Sequence, residues 1–231
     1  MNPEIPPSDE AAMIPLEIYS DPVCPWCHIG WTRLARALEG SPDHPFAITW
    51  KPFMLNLGMP KCGMDRAEYL EAKFGGQLGA AKAYKPVLEA AEQEGLDIDF
   101  AAIERTPNTL DAHRLILWAG LEGCQTPVAS ALFRAYFNEA RDIGKAEVLA
   151  DVGARAGMTR RMILRLLASD ADKDTVLARD KAARDMGITG IPTFIIAGRY
   201  ASSGALPSRE WQKIIPEISL ICAHDGREPP S

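Results

Sequence analysis

Cys24-Pro25-Trp26-Cys27 is the part of this sequence with chemistry of its own, because two closely spaced thiols can form, break and exchange a disulfide. The pair stands where a short apolar run, Ile14 to Tyr19, passes through the turn signal Ser20-Asp21-Pro22 into a helix-like pattern reaching about Leu38. Cys24 therefore falls at a helix N-cap, where unpaired N–H groups and the positive end of the helix dipole favour the thiolate, the nucleophile of disulfide exchange. Cys27, one turn on, shares that helical face and is placed to attack a mixed disulfide at Cys24 and release the partner. Pro25, at the first helical position, forfeits no hydrogen bond and stiffens the loop. Trp26, between the sulfurs, is expected on substrate-facing surface.

Other readings fit the same residues. Cys27-His28 completes the haem-attachment pattern C-x-x-C-H, but that chemistry accompanies export. Met1 to Glu10 carries acids, prolines and no Lys or Arg, where a secretory leader needs a basic start and an apolar stretch. A zinc site needs about four ligands; Cys62, Cys124 and Cys222 are isolated along the chain, so no metal is expected. A Cys62 to Cys124 disulfide is neither required nor excluded. The plainest alternative is that the pair is two buried, reduced thiols acting as small hydrophobes.

A distant segment favours the redox reading. In Gly190-Ile191-Pro192-Thr193-Phe194 a proline directly precedes a buried strand, a position compatible with a cis bond or with an ordinary trans strand start. If this segment packs opposite the cysteines, the proline ring shields the sulfurs from metal and the Ile191 backbone is offered to an extended substrate.

The elements that must bring these segments together follow from periodicity. Ile14 to Tyr19, the helix beginning at Pro25 and a second alternating run, Phe46 to Phe53, make a strand–helix–strand unit whose strands are parallel if the crossover is right-handed. From about Asp65 to Met186 the signals are helical, some six helices, with Asn108-Thr109 and Thr126-Pro127 as helix starts. Thr193 to Ala197 returns as a strand, Arg199 to Ser202 as its hairpin partner, and Pro207 to Cys222 as a closing helix. That helix has an apolar stripe of Trp211, Ile214, Ile215, Ile218 and Ile221, with Pro216 expected to kink or restart it. Strands at both ends with helices between describe an α/β domain, residues 14–58 and 187–223, interrupted by an all-helical insertion, residues 59–186, with flexible ends at 1–13 and 224–231.

Composition narrows the function classes. The 231 residues are 47% hydrophobic, enough for a sizeable core. A net charge of -6 without a basic cluster speaks against nucleic acid, and no apolar run approaches the roughly 18 residues of a membrane span. With no leader visible and only one close cysteine pair, a cytoplasmic location is expected.

At this point the sequence resembles the DsbA-like thioredoxin-fold proteins, and among them the cytoplasmic FrnE-type oxidoreductases. The resemblance runs from about Ile14 to Ile218 and rests on Ser20-Asp21-Pro22-Val23-Cys24-Pro25-Trp26-Cys27 with Gly30, on Pro52-Phe53-Met54-Leu55-Asn56 and on Asn108-Thr109 with Ala112-His113-Arg114. It continues through Leu132 to Phe137, Gly190 to Phe194 and Ser203-Gly204-Ala205. It implies a thioredoxin-like fold with a large helical insertion and exchange of disulfides with protein, peptide or small-thiol substrates. No cofactor is implied; glutathione is a candidate co-substrate, and a homodimer is left open. It places Asn108 and His113 along the active-site groove, though Asn108 also reads as a helix cap and His113 as a hydrogen-bonded helix residue.

Related 2-hydroxychromene-2-carboxylate isomerases and kappa-class glutathione transferases share the scaffold but commonly carry serine at the position of Cys24. A glutathione-dependent isomerase or transferase, and a holdase without turnover, are therefore the competing functions. One departure stands out: many thioredoxin-fold redox proteins keep a buried carboxylate six positions before the first cysteine, and here that position is Ile18. Glu17 points to the other face, which leaves the proton acceptor for Cys27 unassigned.

Overall fold

The computed structural model describes residues 13–225. The expected strand–helix–strand start is present as β1 (Ile14–Ser20), α1 (Pro25–Glu39) and β2 (Phe46–Pro52), with β1 and β2 parallel. Ile14, Leu16 and Ile18 of β1 are buried, whereas Glu17 turns outward to pair with Lys51 of β2 at 2.9 Å. The helical region holds a two-stranded ribbon of β3 (Met64–Asp65) and β4 (Arg105–Thr106). Around it lie seven helices rather than six: α2 (Arg66–Phe74), α3 (Gln77–Gln93), α4 (Leu110–Leu121), α5 (Gln125–Phe137), α6 (Ala146–Arg155), α7 (Arg160–Leu167) and α8 (Lys173–Asp185).

The chain then returns through β5 (Thr193–Ile196), β6 (Tyr200–Ser203) and α9 (Ser208–Asp225). The sheet order is β2-β1-β5-β6, with β5 antiparallel to β1 and β6 antiparallel to β5. The β5–β6 hairpin turns on Ala197 and Gly198, both with positive φ (53° and 68°), the sign that matches the twist of paired strands. The two outer elements therefore meet on one sheet with the helices as a detour between them, a thioredoxin-like fold with a helical insertion.

Several local expectations need correction. Thr126 is not the cap of α5: the helix starts at Gln125 after Cys124, and the Thr126 hydroxyl instead accepts the Trp50 indole N–H at 3.0 Å. Gln125 closes the outer edge of β2, accepting the Trp50 backbone N–H at 2.8 Å and donating to its carbonyl at 3.3 Å. Pro216 neither breaks nor restarts α9, because it lies on the exposed side, where the carbonyl left without a donor meets water. Trp211, Ile215 and Ile218 form the buried face of α9, with Trp211 edge-on to Phe194 at 4.9 Å, but Ile221 is exposed. The ends read as flexible, and the side chain of Cys222, lie for the most part outside the described residues. Cys62 and Cys124 are free thiols, so no disulfide joins them.

Candidate active site

The site is built where β1 hands over to α1. Cys24 is the N-cap of α1, in extended conformation (φ -89°, ψ 112°), and the Cys27 backbone N–H points at its sulfur at 3.3 Å. Pro25 follows in the first turn of the helix, where its ring fits without loss. The Cys24 thiol reaches the Ile191 carbonyl, 167 positions away in sequence, at 3.9 Å, and the Ile191–Pro192 bond is cis. Gly30 makes this approach feasible: a Cβ there would stand 3.0 Å from Cγ of Pro192 and 3.4 Å from Cα of Ala205. Arg33 fixes the same flank, with Nε 2.7 Å from Glu94 and an amino group 2.8 Å from the Ala205 carbonyl.

The two sulfurs have different surroundings. Cys24 lines a cleft with Val23, Pro25, Trp26, Leu55 and Ile191 on the sheet side and with the aromatic rings of the insertion opposite. Cys27 does not line that cleft; it is buried beneath Cys24, facing the Ser20 hydroxyl and the Asp21 backbone N–H. Burial, reinforced by the neighbouring Cys24, pushes the Cys27 thiol well above the usual range, which keeps it protonated at neutral pH. Trp26 is half-buried, packing against the core along one side rather than standing free on the surface.

Asn108 and His113, expected along the groove, do not line it. Asn108 clamps a loop: its Oδ1 accepts the Leu110 N–H at 2.9 Å and its Nδ2 donates to the Met59 carbonyl at 2.7 Å. His113 is buried behind β2; its Nε2 is 3.9 Å from a carboxylate oxygen of Asp21, and that nitrogen has no hydrogen-bond partner among the described residues. Burial lowers its pKa to about 4, so at neutral pH the ring is uncharged and the contact is not an ion pair. His28 also turns away from the sulfurs, its ring stacked on Phe133 at 5.3 Å and Phe137 at 5.6 Å, with a pKa lowered by burial to about 4.

Two features of the site are not evident from sequence. One is Asp21, which reads there as a turn former but is fully buried. Its carboxylate accepts the Val23 N–H at 3.3 Å, the Leu55 N–H at 2.8 Å and the Thr109 hydroxyl at 3.3 Å, tying the cysteine loop to two remote segments. Burial outweighs these donors and pushes its pKa up to about 6. A second buried carboxylate, Asp180, accepts the Met54 N–H at 2.6 Å and is held by Arg184 at 2.7 Å, so the loop after β2 is pinned from both sides. The other feature is Arg66, which lines the cleft opposite Cys24 with Tyr69, Lys73, Tyr84 and Phe100. Nothing in the local pattern marks it, since the residue opens an ordinary helix after the N-cap Asp65.

The Bacillus subtilis (strain 168) protein YwbO is 25% identical over 201 residues, spanning 87% of this chain and 94% of YwbO. Among solved structures, a probable DsbA oxidoreductase from Streptomyces coelicolor superposes with a TM-score of 0.78 at 28% identity, over 94% of this chain and 92% of that one. The cytosolic disulfide reductase DsbM from Pseudomonas aeruginosa, solved with GSH, shares the fold at 16% identity and a TM-score of 0.59, over 93% of this chain and all (100%) of that one. The DSBA-like thioredoxin domain profile matches residues 15–215, which takes in both cysteines, Pro192 and the whole insertion. The chain belongs to the DSBA-like thioredoxin domain family.

Proposed function

We propose that this protein is a cytoplasmic thiol–disulfide oxidoreductase working as a disulfide reductase, with Cys24 as attacking and Cys27 as resolving sulfur. The observation that carries the reading is the asymmetry of the pair: both residues are largely buried, but Cys24 lines the cleft at a helix start, and Cys27, a turn behind it, does not. In the first step the Cys24 thiolate attacks one sulfur of a substrate disulfide. The substrate S–S bond breaks, a mixed disulfide forms at Cys24, and the second substrate sulfur leaves as a thiolate. In the next step Cys27 loses its proton and attacks the Cys24 sulfur, forming the internal disulfide and releasing the first substrate sulfur. The substrate gains two electrons and the pair loses two, which a small external thiol such as glutathione restores.

The likeness to DsbM, named a cytosolic disulfide reductase and solved with GSH, supports both the direction and that co-substrate. Retention of sulfur at position 24 separates the chain from the serine-bearing isomerase and transferase relatives that the sequence resembles. The Cys24/Cys27 couple, titrated against glutathione, is expected at or below about -220 mV, and a value near about -120 mV would instead mark an oxidase. Cys24→Ser is expected to abolish reduction of a disulfide substrate; a variant that still turns over would refute the reading.

A further inference from the structure

We propose that the cleft beside Cys24 receives a small disulfide carrying a carboxylate, with Arg66 binding the carboxylate and the surrounding rings covering the apolar body. The proposal rests on the oxidoreductase reading and names its substrate class.

Arg66 is 7% exposed, and among the described residues no carboxylate lies within salt-bridge distance of it. Its guanidinium donates to two neutral phenols, Tyr84 at 3.1 Å and Tyr136 at 3.4 Å, and lies 5.6 Å from the ring centroids of Tyr84 and Phe100. Among the described residues Nε has no hydrogen-bond partner. A buried cation without a counter-ion is costly, and the other buried arginines avoid that cost. Arg114 is paired with Asp111 at 2.7 Å and bonded to three carbonyls, and Arg33 is paired with Glu94.

The phenols cannot supply the missing charge, because burial raises the pKa of both and keeps them protonated. The cleft lining includes two cations, Arg66 and Lys73, and no Asp or Glu, in a chain where acids outnumber bases 31 to 25. Apart from Thr106 and Cys24 the rest is apolar or aromatic, around a cavity of about 280 Å³, slightly below the roughly 300 Å³ at which drug-sized sites begin. A cavity of that size suits a small molecule with an anionic end. Because Cys24 and Arg66 line the same cavity, a ligand anchored by its carboxylate presents its sulfur to the Cys24 thiolate. The exchange then runs as above: the ligand S–S bond breaks, the Cys24 mixed disulfide forms, and the anionic half leaves as a thiolate.

The test uses the full chain, reduced beforehand, with Cys62, Cys124 and Cys222 replaced by Ser. Single-turnover rate constants are measured with dithiobis(nitrobenzoate), an aromatic disulfide bearing carboxylates, and with dithiodipyridine, aromatic and uncharged. Arg66→Met is expected to lower the ratio of the two rate constants about tenfold or more, the loss of one charge-assisted hydrogen bond, with Arg66→Lys between. An unchanged ratio overturns the carboxylate site. Failure of the parent protein to react with either compound overturns the oxidoreductase reading instead. A decapeptide disulfide with a free C-terminal carboxylate that reacts as fast as the small anionic compound, and is hit as hard by Arg66→Met, overturns the small-molecule assignment. As a measurement independent of turnover, benzoate is expected to raise the thermal midpoint of the parent and leave that of Arg66→Met unmoved; equal shifts in both would also overturn the site.

Discussion

Acid should weaken this protein through its buried histidines, and His28→Leu isolates one of them. The His28 ring stacks on Phe133 and Phe137, and burial, outweighing the opposing contact with Asn138, lowers its pKa from 6.5 to about 4. As pH falls below 6.5 the unfolded chain takes up a proton that the folded ring refuses until about 4. Stability present in full above 6.5 is therefore lost across that interval, at about 1.4 kcal/mol per pH unit, or about 3 kcal/mol in all. His113, shifted over the same interval, adds a similar loss.

Asp21 acts in the opposite sense. Its folded pKa of about 6 lies above the ordinary 3.8, so the folded state binds a proton first on acidification and recovers about 3 kcal/mol as pH falls through that window. The net expectation is a loss of stability on acidification, because two histidines oppose one carboxyl. In urea unfolding followed by tryptophan fluorescence, His28→Leu should match or exceed the parent at neutral pH, because it removes buried ring nitrogens that are poorly satisfied among the described residues. Between about pH 6 and 4.5 its stability should fall less steeply by one proton, about 1.4 kcal/mol per pH unit. Parallel pH slopes for the two proteins would refute the reasoning.

Four further outcomes follow from contacts described above. Cys27→Ser, incubated with a disulfide substrate, should accumulate a mixed disulfide at Cys24 detectable by intact mass, and in the parent an alkylating agent at neutral pH should modify Cys24 before Cys27, whose thiol burial keeps protonated. Gly30→Ala should drive a methyl against Cγ of Pro192 at 3.0 Å, cost about 1 to 3 kcal/mol in chemical unfolding, and slow exchange at Cys24 beyond what the stability loss explains. Asp180→Ala removes the acceptor of the Met54 N–H and the partner of Arg184, and should cost about 3 to 5 kcal/mol, with Asp180→Asn recovering part of it.

The sheet and the first and last helices are legible because their signals are local. Alternation in Ile14 to Ser20 and in Phe46 to Pro52, the proline before Thr193, and the stripe on α9 each sit within one window of sequence. What escapes the sequence is set by remote contact. The β3–β4 ribbon is two residues a side and has no apolar rhythm of its own. Thr126-Pro127 has the form of a helix start, but Trp50 of β2 claims the hydroxyl and the helix begins two residues earlier. Asp21 is buried only because Leu55 and Thr109 close over it. His28 follows Cys27 in sequence, yet one step around a helix is about 100° of rotation, enough to aim it at Phe133 and Phe137. The charge of Arg66 is visible in the sequence; its lack of a counter-ion is a property of the assembled cleft.

The strand order also fixes when the dithiol can become functional during synthesis. β1, made first, lies in the centre of the sheet, and its second neighbour β5 is separated from it by the entire helical insertion. A nascent chain that has emerged only through α8 holds Cys24 and Cys27 on α1 but lacks Ile191, Pro192 and the strand that covers one edge of β1. Such a chain presents an open strand edge beside two unshielded thiols, a combination prone to strand addition and to disulfides with the wrong partner. Release of the last fifth of the polypeptide removes both hazards at once, so the dithiol is shielded only after β5 has joined the sheet.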